Sequence, residues 1–177
     1  MNPMHRRSFL KCGLAGAGLL TGFSSTARSL QAAESGATVD QIPLGNTGIQ
    51  LSRFAMGTGT RGWEQYSDQT KLGQQKFDGL MRHGYDRGIN FWDMADIYGS
   101  HQYAAKVLRS YPREKLVLLS KLWPEPLKWK PENDPQKDFD RIRLEIGTDY
   151  LDIVLLHGQN SPNWPEEKKQ WMDFLSA

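Results

Sequence analysis

The sequence predicts an α/β fold built on a parallel β-sheet. Short apolar runs of strand length alternate four times with stretches whose apolar residues recur at helical spacing. Strand–helix alternation without a break is typical of parallel sheets, because each crossover helix returns the chain to the same end of the sheet. Residues 151–156 form an almost continuous apolar run interrupted only by Asp152, as expected for a strand covered on both faces.

The first segment, residues 1–33, predicts an export signal. It contains basic residues and no acid, and residues 6–11 read Arg-Arg-Ser-Phe-Leu-Lys before a short apolar run at 13–20. This pattern resembles a bacterial twin-arginine signal, and the run is too short for a transmembrane helix. The resemblance implies the twin-arginine translocation machinery as a partner and a periplasmic or otherwise exported product, with no stable membrane anchor. Candidate cleavage sites follow Ala27, Ala32 and Ala33.

Composition narrows the function classes. The formal net charge of +2 comes from the signal, so the remainder is slightly acidic and nothing favours nucleic acid as a partner. The single cysteine, Cys12, lies in the signal, which leaves no disulfide, thiolate metal site or cysteine nucleophile downstream. The histidines are too scattered for a metal site, so no metal is expected.

The body is expected to begin after a polar spacer at 34–41, so that residues 42–177 form the folded portion. The Gly/Asn turn within 44–51 predicts a hairpin. Strands are predicted at 53–56, 89–92, 116–119 and 151–156. Helices are predicted from the apolar stripes at 77–85, 104–111, 139–146 and 171–175.

Four polar residues stand where the apolar runs stop. Asp93 follows the second predicted strand with Tyr98 shortly after it, Lys121 follows the third, and His157 follows the fourth. A doubly wound open sheet and an eight-fold barrel both fit the alternation. A barrel predicts functional groups at the carboxyl ends of several strands, so we favour a (β/α)8 TIM-type barrel.

These residue types suit carbonyl reduction. A phenol has an ordinary pKa of about 10, and a nearby ammonium favours its ionised form. Tyr98 can therefore act as a general acid beside Lys121, with Asp93 holding the ammonium, while His157 orients a carbonyl oxygen. Because no side chain can carry a hydride, a nicotinamide cofactor is required for reduction of an aldehyde or ketone.

Residues 88–99, Gly-Ile-Asn-Phe-Trp-Asp-Met-Ala-Asp-Ile-Tyr-Gly, resemble the aldo/keto reductase signature Gly-x-x-x-x-Asp-Thr-Ala-x-x-Tyr-Gly. Ser120-Lys121 and residues 151–157 resemble the family's next two motifs, and Met94 replaces the usual threonine. The resemblance implies NADPH and a catalytic set made of Tyr98, Asp93, Lys121 and His157. It also implies a cofactor contact along Gly59, Thr60, Arg61 and Asp93.

Tryptophans beyond the predicted strand ends are candidates for the wall of the substrate pocket. We expect Trp63 and Trp123 to bind an apolar substrate together with His157, whereas Trp171 is expected in a helix core. Packing under the loops is the alternative for each pocket tryptophan.

The number of strand–helix units sets a further expectation. A complete barrel of this type needs about 250 residues, and only the N-terminal hairpin and about four of its units are predicted here. We therefore expect the N-terminal portion of a reductase barrel with little activity. The alternatives are a non-catalytic cofactor-binding regulatory or interaction protein on the same barrel, or an unstable remnant.

Overall fold

The computed structural model describes residues 38–177, so the predicted export signal lies outside the described residues. A two-stranded antiparallel hairpin comes first, formed by β1 (Gln41–Pro43) and β2 (Gln50–Ser52). Gly45 and Gly48 in the connecting turn both have positive φ, which glycine adopts at little cost. The hairpin is therefore confirmed, and it begins one residue before the predicted boundary at 42.

A four-stranded parallel sheet follows, in the order β3-β4-β5-β6. Its strands are β3 (Ala55–Gly57), β4 (Phe91–Asp93), β5 (Val117–Leu122) and β6 (Ile153–Leu156). Since sequence order equals spatial order, each crossover leads to the neighbouring strand, as in a parallel barrel. The predicted strand–helix alternation is confirmed.

A helix or pair of helices follows each strand of the parallel sheet, and the first four helices lie in its crossovers. The helices are α1 (Asp68–Lys71), α2 (Gln74–Tyr85), α3 (His101–Leu108), α4 (Pro135–Ile146), α5 (Trp164–Glu167) and α6 (Lys169–Ser176). Two short 3₁₀ turns, Asp96–Tyr98 and Arg113–Lys115, precede α3 and β5. Within residues 38–177, no helix combines the length and apolar character needed to cross a membrane.

Local sequence explains where α4 begins and ends. Asp134 accepts a hydrogen bond from the Lys137 backbone N–H as the N-cap, and Pro135 occupies the first turn. Both features are typical of helix starts. The helix ends at Gly147, whose positive φ of 74° gives the left-handed C-cap.

The apolar core lies between the sheet and its helices. Its fully buried members include Trp92 on β4, Leu118 on β5, Ile142 on α4 and Trp171 on α6. The expectation for Trp171 is confirmed. Trp92 is 0% exposed and belongs to this core, so its position near a strand end does not place it in a pocket wall. Successive strand residues point to opposite faces, which separates Trp92 from its neighbour Asp93.

Two strands extend further than the apolar runs suggested. Asp93 is the last residue of β4, and Lys121 lies inside β5. β5 continues because Lys121 stays in register with Leu155 of β6. The predicted strand ends at 92 and 119 were therefore short by one and three residues, so neither polar residue follows its strand. Only His157 comes directly after its strand.

Candidate active site

The backbone brings Asp93, Lys121 and His157 to the same end of the sheet. The Thr58 N–H donates to the Asp93 carbonyl at 3.0 Å, and the Met94 N–H donates to the Leu119 carbonyl at 2.9 Å. The His157 N–H donates to the Leu122 carbonyl at 2.9 Å. Parallel pairing thus continues just past the strand ends, and it holds the three side chains on neighbouring strands.

Asp93 and Lys121 form an ion pair at the centre of this edge. The Lys121 Nζ donates to Asp93 Oδ1 and also to the Met94 carbonyl, the latter at 3.1 Å. The Lys121 side chain is 15% exposed, so its ammonium is largely shielded from water. Two of its three N–H groups are occupied by these acceptors, which leaves one for another partner.

Tyr98 ends the 3₁₀ turn Asp96–Tyr98 and lies beside this pair. The Lys121 Nζ is 5.2 Å from the centre of the Tyr98 ring. The His157 ring is 5.5 Å from the Tyr98 ring, with an interplanar angle of 89°. The structure therefore brings all four sequence-predicted catalytic residues together, although they come from three strand ends and a turn.

Two glycines pack directly against the Tyr98 ring. A Cβ on Gly59 would lie 2.1 Å from Tyr98 Cε2, and a Cβ on Gly62 would lie 2.3 Å from Tyr98 Cδ1. Contacts this short are sterically forbidden, so only glycine fits at both positions. Sequence reasoning placed Gly59 near the cofactor and missed Gly62; the backbone of both defines where the phenol lies.

The spacing of Gly57, Gly59 and Gly62 matches the Gly-x-Gly-x-x-Gly fingerprint of dinucleotide-binding folds. That fingerprint requires a helix to open at the glycines, whereas the next helix here begins only at Asp68. The match is therefore incidental, and Gly59 and Gly62 serve the packing of Tyr98, whereas a Cβ on Gly57 would meet nothing within 4 Å.

The imidazole of His157 favours its neutral form. Burial is the largest cause that lowers its pKa, the Lys121 ammonium lowers it further, and Asp93 opposes the effect. Its Nδ1 is buried and has no hydrogen-bond partner among the described residues. A neutral imidazole carries one N–H and one acceptor nitrogen, so His157 can donate a hydrogen bond, and its lowered pKa makes the other nitrogen a weaker base for the Tyr98 proton.

Trp63 and Trp123 form an aromatic wall next to His157. The Trp123 ring lies 5.4 Å from the His157 ring, and the two tryptophan rings are 5.3 Å apart at an interplanar angle of 80°. Trp63 remains 48% exposed, so this face is open to solvent. The wall borders a cavity of about 180 Å³ that Trp123, His157 and Gly158 help to line.

Thr60 and Arg61 lie on the exposed loop between β3 and α1. The Thr60 N–H and hydroxyl contact the Gln69 side chain, at 3.0 and 2.8 Å. Arg61 makes two hydrogen bonds to Asp68, at 2.9 and 3.0 Å. These contacts fix the loop that carries Gly59 and Gly62, so the loop is preorganised around Tyr98.

A model of the aldo/keto reductase family matches residues 53–175, which covers most of the chain and all four residues described above. The chain belongs to the aldo/keto reductase family. Two of its curated relatives are fungal. It is 28% identical over 172 residues to the aldo-keto reductase dtxS3 of Metarhizium robertsii, covering 77% of this chain and 45% of the relative. It is 30% identical over 145 residues to versiconal hemiacetal acetate reductase of Aspergillus parasiticus, covering 64% of this chain and 40% of that relative.

Solved structures of reductases show the same fold. A Pseudomonas aeruginosa aldo-keto reductase superposes with a TM-score of 0.63 at 25% identity, covering 77% of this chain and 54% of that one. A thermostable aldo-keto reductase, Tm1743, crystallised with the inhibitor epalrestat, superposes with a TM-score of 0.59 at 23% identity, covering 77% and 49%. The chain thus spans about half the length of the relatives it matches, and its four parallel strands form part of a TIM-type barrel.

Proposed function

We propose that this aldo/keto reductase carries out NADPH-dependent reduction of an aldehyde or ketone to an alcohol. The observation that carries the proposal is the convergence of one phenol, one ammonium and one neutral imidazole. The Lys121 Nζ lies 5.2 Å from the centre of the Tyr98 ring, and the centre of the His157 ring lies 5.5 Å from it. A carbonyl oxygen placed between Tyr98 and His157 would meet a proton donor and a hydrogen-bond donor together.

In this mechanism the Tyr98 Oη gives its proton to the carbonyl oxygen as the carbonyl carbon is reduced. The free N–H of Lys121 stabilises the phenolate that remains, and Asp93 keeps the ammonium in place. The neutral His157 donates to the substrate oxygen and orients it. The products are the alcohol, the oxidised nicotinamide cofactor and a phenolate that takes a proton from water before the next turnover.

The donor set fits a separate hydride carrier. Tyr98, Lys121 and His157 move or stabilise protons, and none of them can store a hydride. A bound nicotinamide cofactor would supply the hydride. Gly59, Thr60, Arg61 and Asp93 are the residues proposed to hold it, and they lie on the preorganised loop and the strand end that border Tyr98.

The aromatic wall points to a carbonyl compound with an apolar or aromatic group next to the reacting carbon. Trp63 and Trp123 present ring faces and edges beside His157, and such surfaces bind flat apolar groups well. Versiconal hemiacetal acetate reductase is a relative named for a specific substrate. For this chain we propose the substrate class alone, namely carbonyl compounds with an apolar or aromatic group next to the reacting carbon.

The test follows NADPH absorbance with a panel of aromatic and short aliphatic aldehydes, using the wild-type chain and Tyr98→Phe. Tyr98→Phe keeps the ring against the glycines and removes only the hydroxyl group that carries the proton. We expect low but measurable turnover by the wild type, because the four parallel strands form only part of the barrel, and a further loss of about 10²- to 10⁴-fold in kcat for the variant. Equal rates would exclude Tyr98 as the acid. NADPH binding without turnover, measured by cofactor fluorescence, would favour a cofactor-binding regulatory protein instead.

We also propose export through the twin-arginine pathway. Residues 6–11 carry the paired arginines followed by Phe9 and Leu10. The test expresses the full chain in a bacterium with this pathway and compares Arg6→Lys combined with Arg7→Lys against Arg28→Lys. The paired change should retain the protein in the cytoplasm, and the control should not. Equal distribution of both variants would contradict the signal.

A further inference from the structure

His101, the first residue of α3, is buried and bridges two elements. Its side chain is 2% exposed. Its Nδ1 lies 2.8 Å from Glu145 Oε2 on α4, and its Nε2 lies 3.0 Å from the Ser120 hydroxyl on β5. A carboxylate only accepts, so Nδ1–H donates to Glu145 and the other nitrogen faces Ser120. Ser120 directly precedes Lys121 in the strand.

The α4 end of this bridge is held by a second side chain. Arg141 donates to Glu145 Oε1 at 2.8 Å and to Asp96 Oδ1 at 2.8 Å. Burial raises the pKa of Glu145, but the hydrogen bonds and charges of His101 and Arg141 lower it by more. The pKa of Glu145 is therefore below its usual value, and the carboxyl stays ionised. Asp96 is fully buried and begins the 3₁₀ turn that ends at Tyr98.

The two contacts of α4 therefore reach the candidate site through two different elements. One passes through His101 to the residue before Lys121, and the other passes through Arg141 to the turn that carries Tyr98. Both are buried polar contacts, and their loss leaves unsatisfied groups inside the fold.

We propose that His101 is a positioning residue for the reaction. It ties β5 at Ser120 to α4, so that the Lys121 ammonium is held at a fixed distance from the Tyr98 ring. This inference rests on the proposed reductase function, since it concerns how the acid and its lysine are aligned. Such alignment matters because a displacement of about 1 Å in a reacting group can cost about 10²-fold in rate.

A matched series of variants separates positioning from stability. His101→Leu removes both hydrogen bonds, and His101→Gln places an amide near the former Nε2, where it can still bond the Ser120 hydroxyl. Ile142→Ala, on α4 and fully buried, weakens the core without breaking a polar contact. Each variant is characterised by urea unfolding, by kcat and KM for one aldehyde, and by its crystal structure.

We expect His101→Leu to lose about 10- to 100-fold in kcat with little change in KM, and His101→Gln to recover most of the loss. Ile142→Ala should unfold at lower urea yet keep its kcat. In the crystal structure of His101→Leu, the Lys121 Nζ should leave the Met94 carbonyl, which lies 3.1 Å away in the wild type. His101→Gln should retain that contact.

Three outcomes overturn the inference: an unchanged kcat in His101→Leu, a kcat loss in Ile142→Ala equal to that in His101→Leu, or an unmoved Lys121 in the crystal structure of His101→Leu. If the wild type shows no turnover, the proposed reductase function fails for this chain. The crystal structures then still decide whether His101 positions Lys121.

Discussion

The ring of Tyr98 lies directly against the backbone of Gly59, so close that a methyl group on Gly59 would be 2.1 Å from a ring carbon. The φ of Gly59 is not in the left-handed region, so this glycine is required by the approach of the ring and not by its own backbone conformation. The loop after β3 therefore determines the position of the proposed acid.

The first prediction concerns Gly59→Ala. The added methyl group must displace the Tyr98 ring, so we expect kcat to fall by about 10²-fold and stability to fall by about 1–3 kcal/mol, as for other overpacked sites. Gly79→Ala is the control, because Gly79 is exposed in the middle of α2 with nothing within 4 Å. The free energy of unfolding of the control should rise by about 0.5–1 kcal/mol, since alanine is more stable than glycine inside a helix. Kinetics and urea unfolding of both variants provide the check, and a fully active Gly59→Ala would contradict the packing.

The second prediction concerns Lys121→Met. Methionine keeps the stem but removes the ammonium, so Asp93 loses its partner and the developing phenolate loses its stabilising charge. We expect kcat to fall by about 10²- to 10⁴-fold, the range for loss of acid–base function. Lys76→Met on the exposed face of α2 is the matched control. Steady-state rates at saturating aldehyde are measured, and similar rates in both variants would remove Lys121 from the mechanism.

The third prediction concerns the pH dependence of stability through His157. Its pKa is lowered in the folded state from the ordinary histidine value of 6.5, so as the pH falls the unfolded chain binds a proton there before the folded chain does. The contribution of His157 to the free energy of unfolding is fully present above about pH 6.5 and is lost as the pH falls towards the folded pKa. Urea titrations of wild type and His157→Gln from pH 7.5 to about pH 5 test this.

The difference between those two titrations isolates His157, because all other groups are shared. The stability of the wild type should decline more steeply with falling pH than that of His157→Gln. Parallel curves would show that His157 has the same pKa in both states.

The fourth prediction concerns the buried pair of Lys130 and Asp138. Their side chains are 3% and 6% exposed, with the Lys130 Nζ 2.6 Å from Asp138 Oδ2. Lys130→Met leaves the buried Asp138 carboxylate with Arg141 as its charged partner, at 3.2 Å. We therefore expect the free energy of unfolding to fall by about 3 kcal/mol. Lys169→Met breaks an exposed pair with Asp173 on α6 and should cost less than about 1 kcal/mol. Urea unfolding measures the loss of stability in each variant. Equal losses would contradict the claim that the buried pair contributes more than the exposed pair.

Much of the fold follows from local sequence. The four-fold alternation predicted the parallel sheet, and the Gly/Asn turn predicted the hairpin, because the period of apolar residues depends only on local geometry. The motif around Asp93 and Tyr98 predicted the family. The strand limits were less accurate, since Lys121 belongs to β5 through its pairing with β6, which lies far along the chain.

By itself, the sequence determined the order of strands and helices, the family and the four candidate catalytic residues, since each depends on patterns within short segments. The tertiary structure alone decided that Gly59 and Gly62 enclose the Tyr98 ring and that His101 joins Glu145 to Ser120. His101 and Glu145 are 44 residues apart in the chain, and no local pattern records that distance. Close packing and buried hydrogen bonds arise only when the folded chain brings such distant residues into contact.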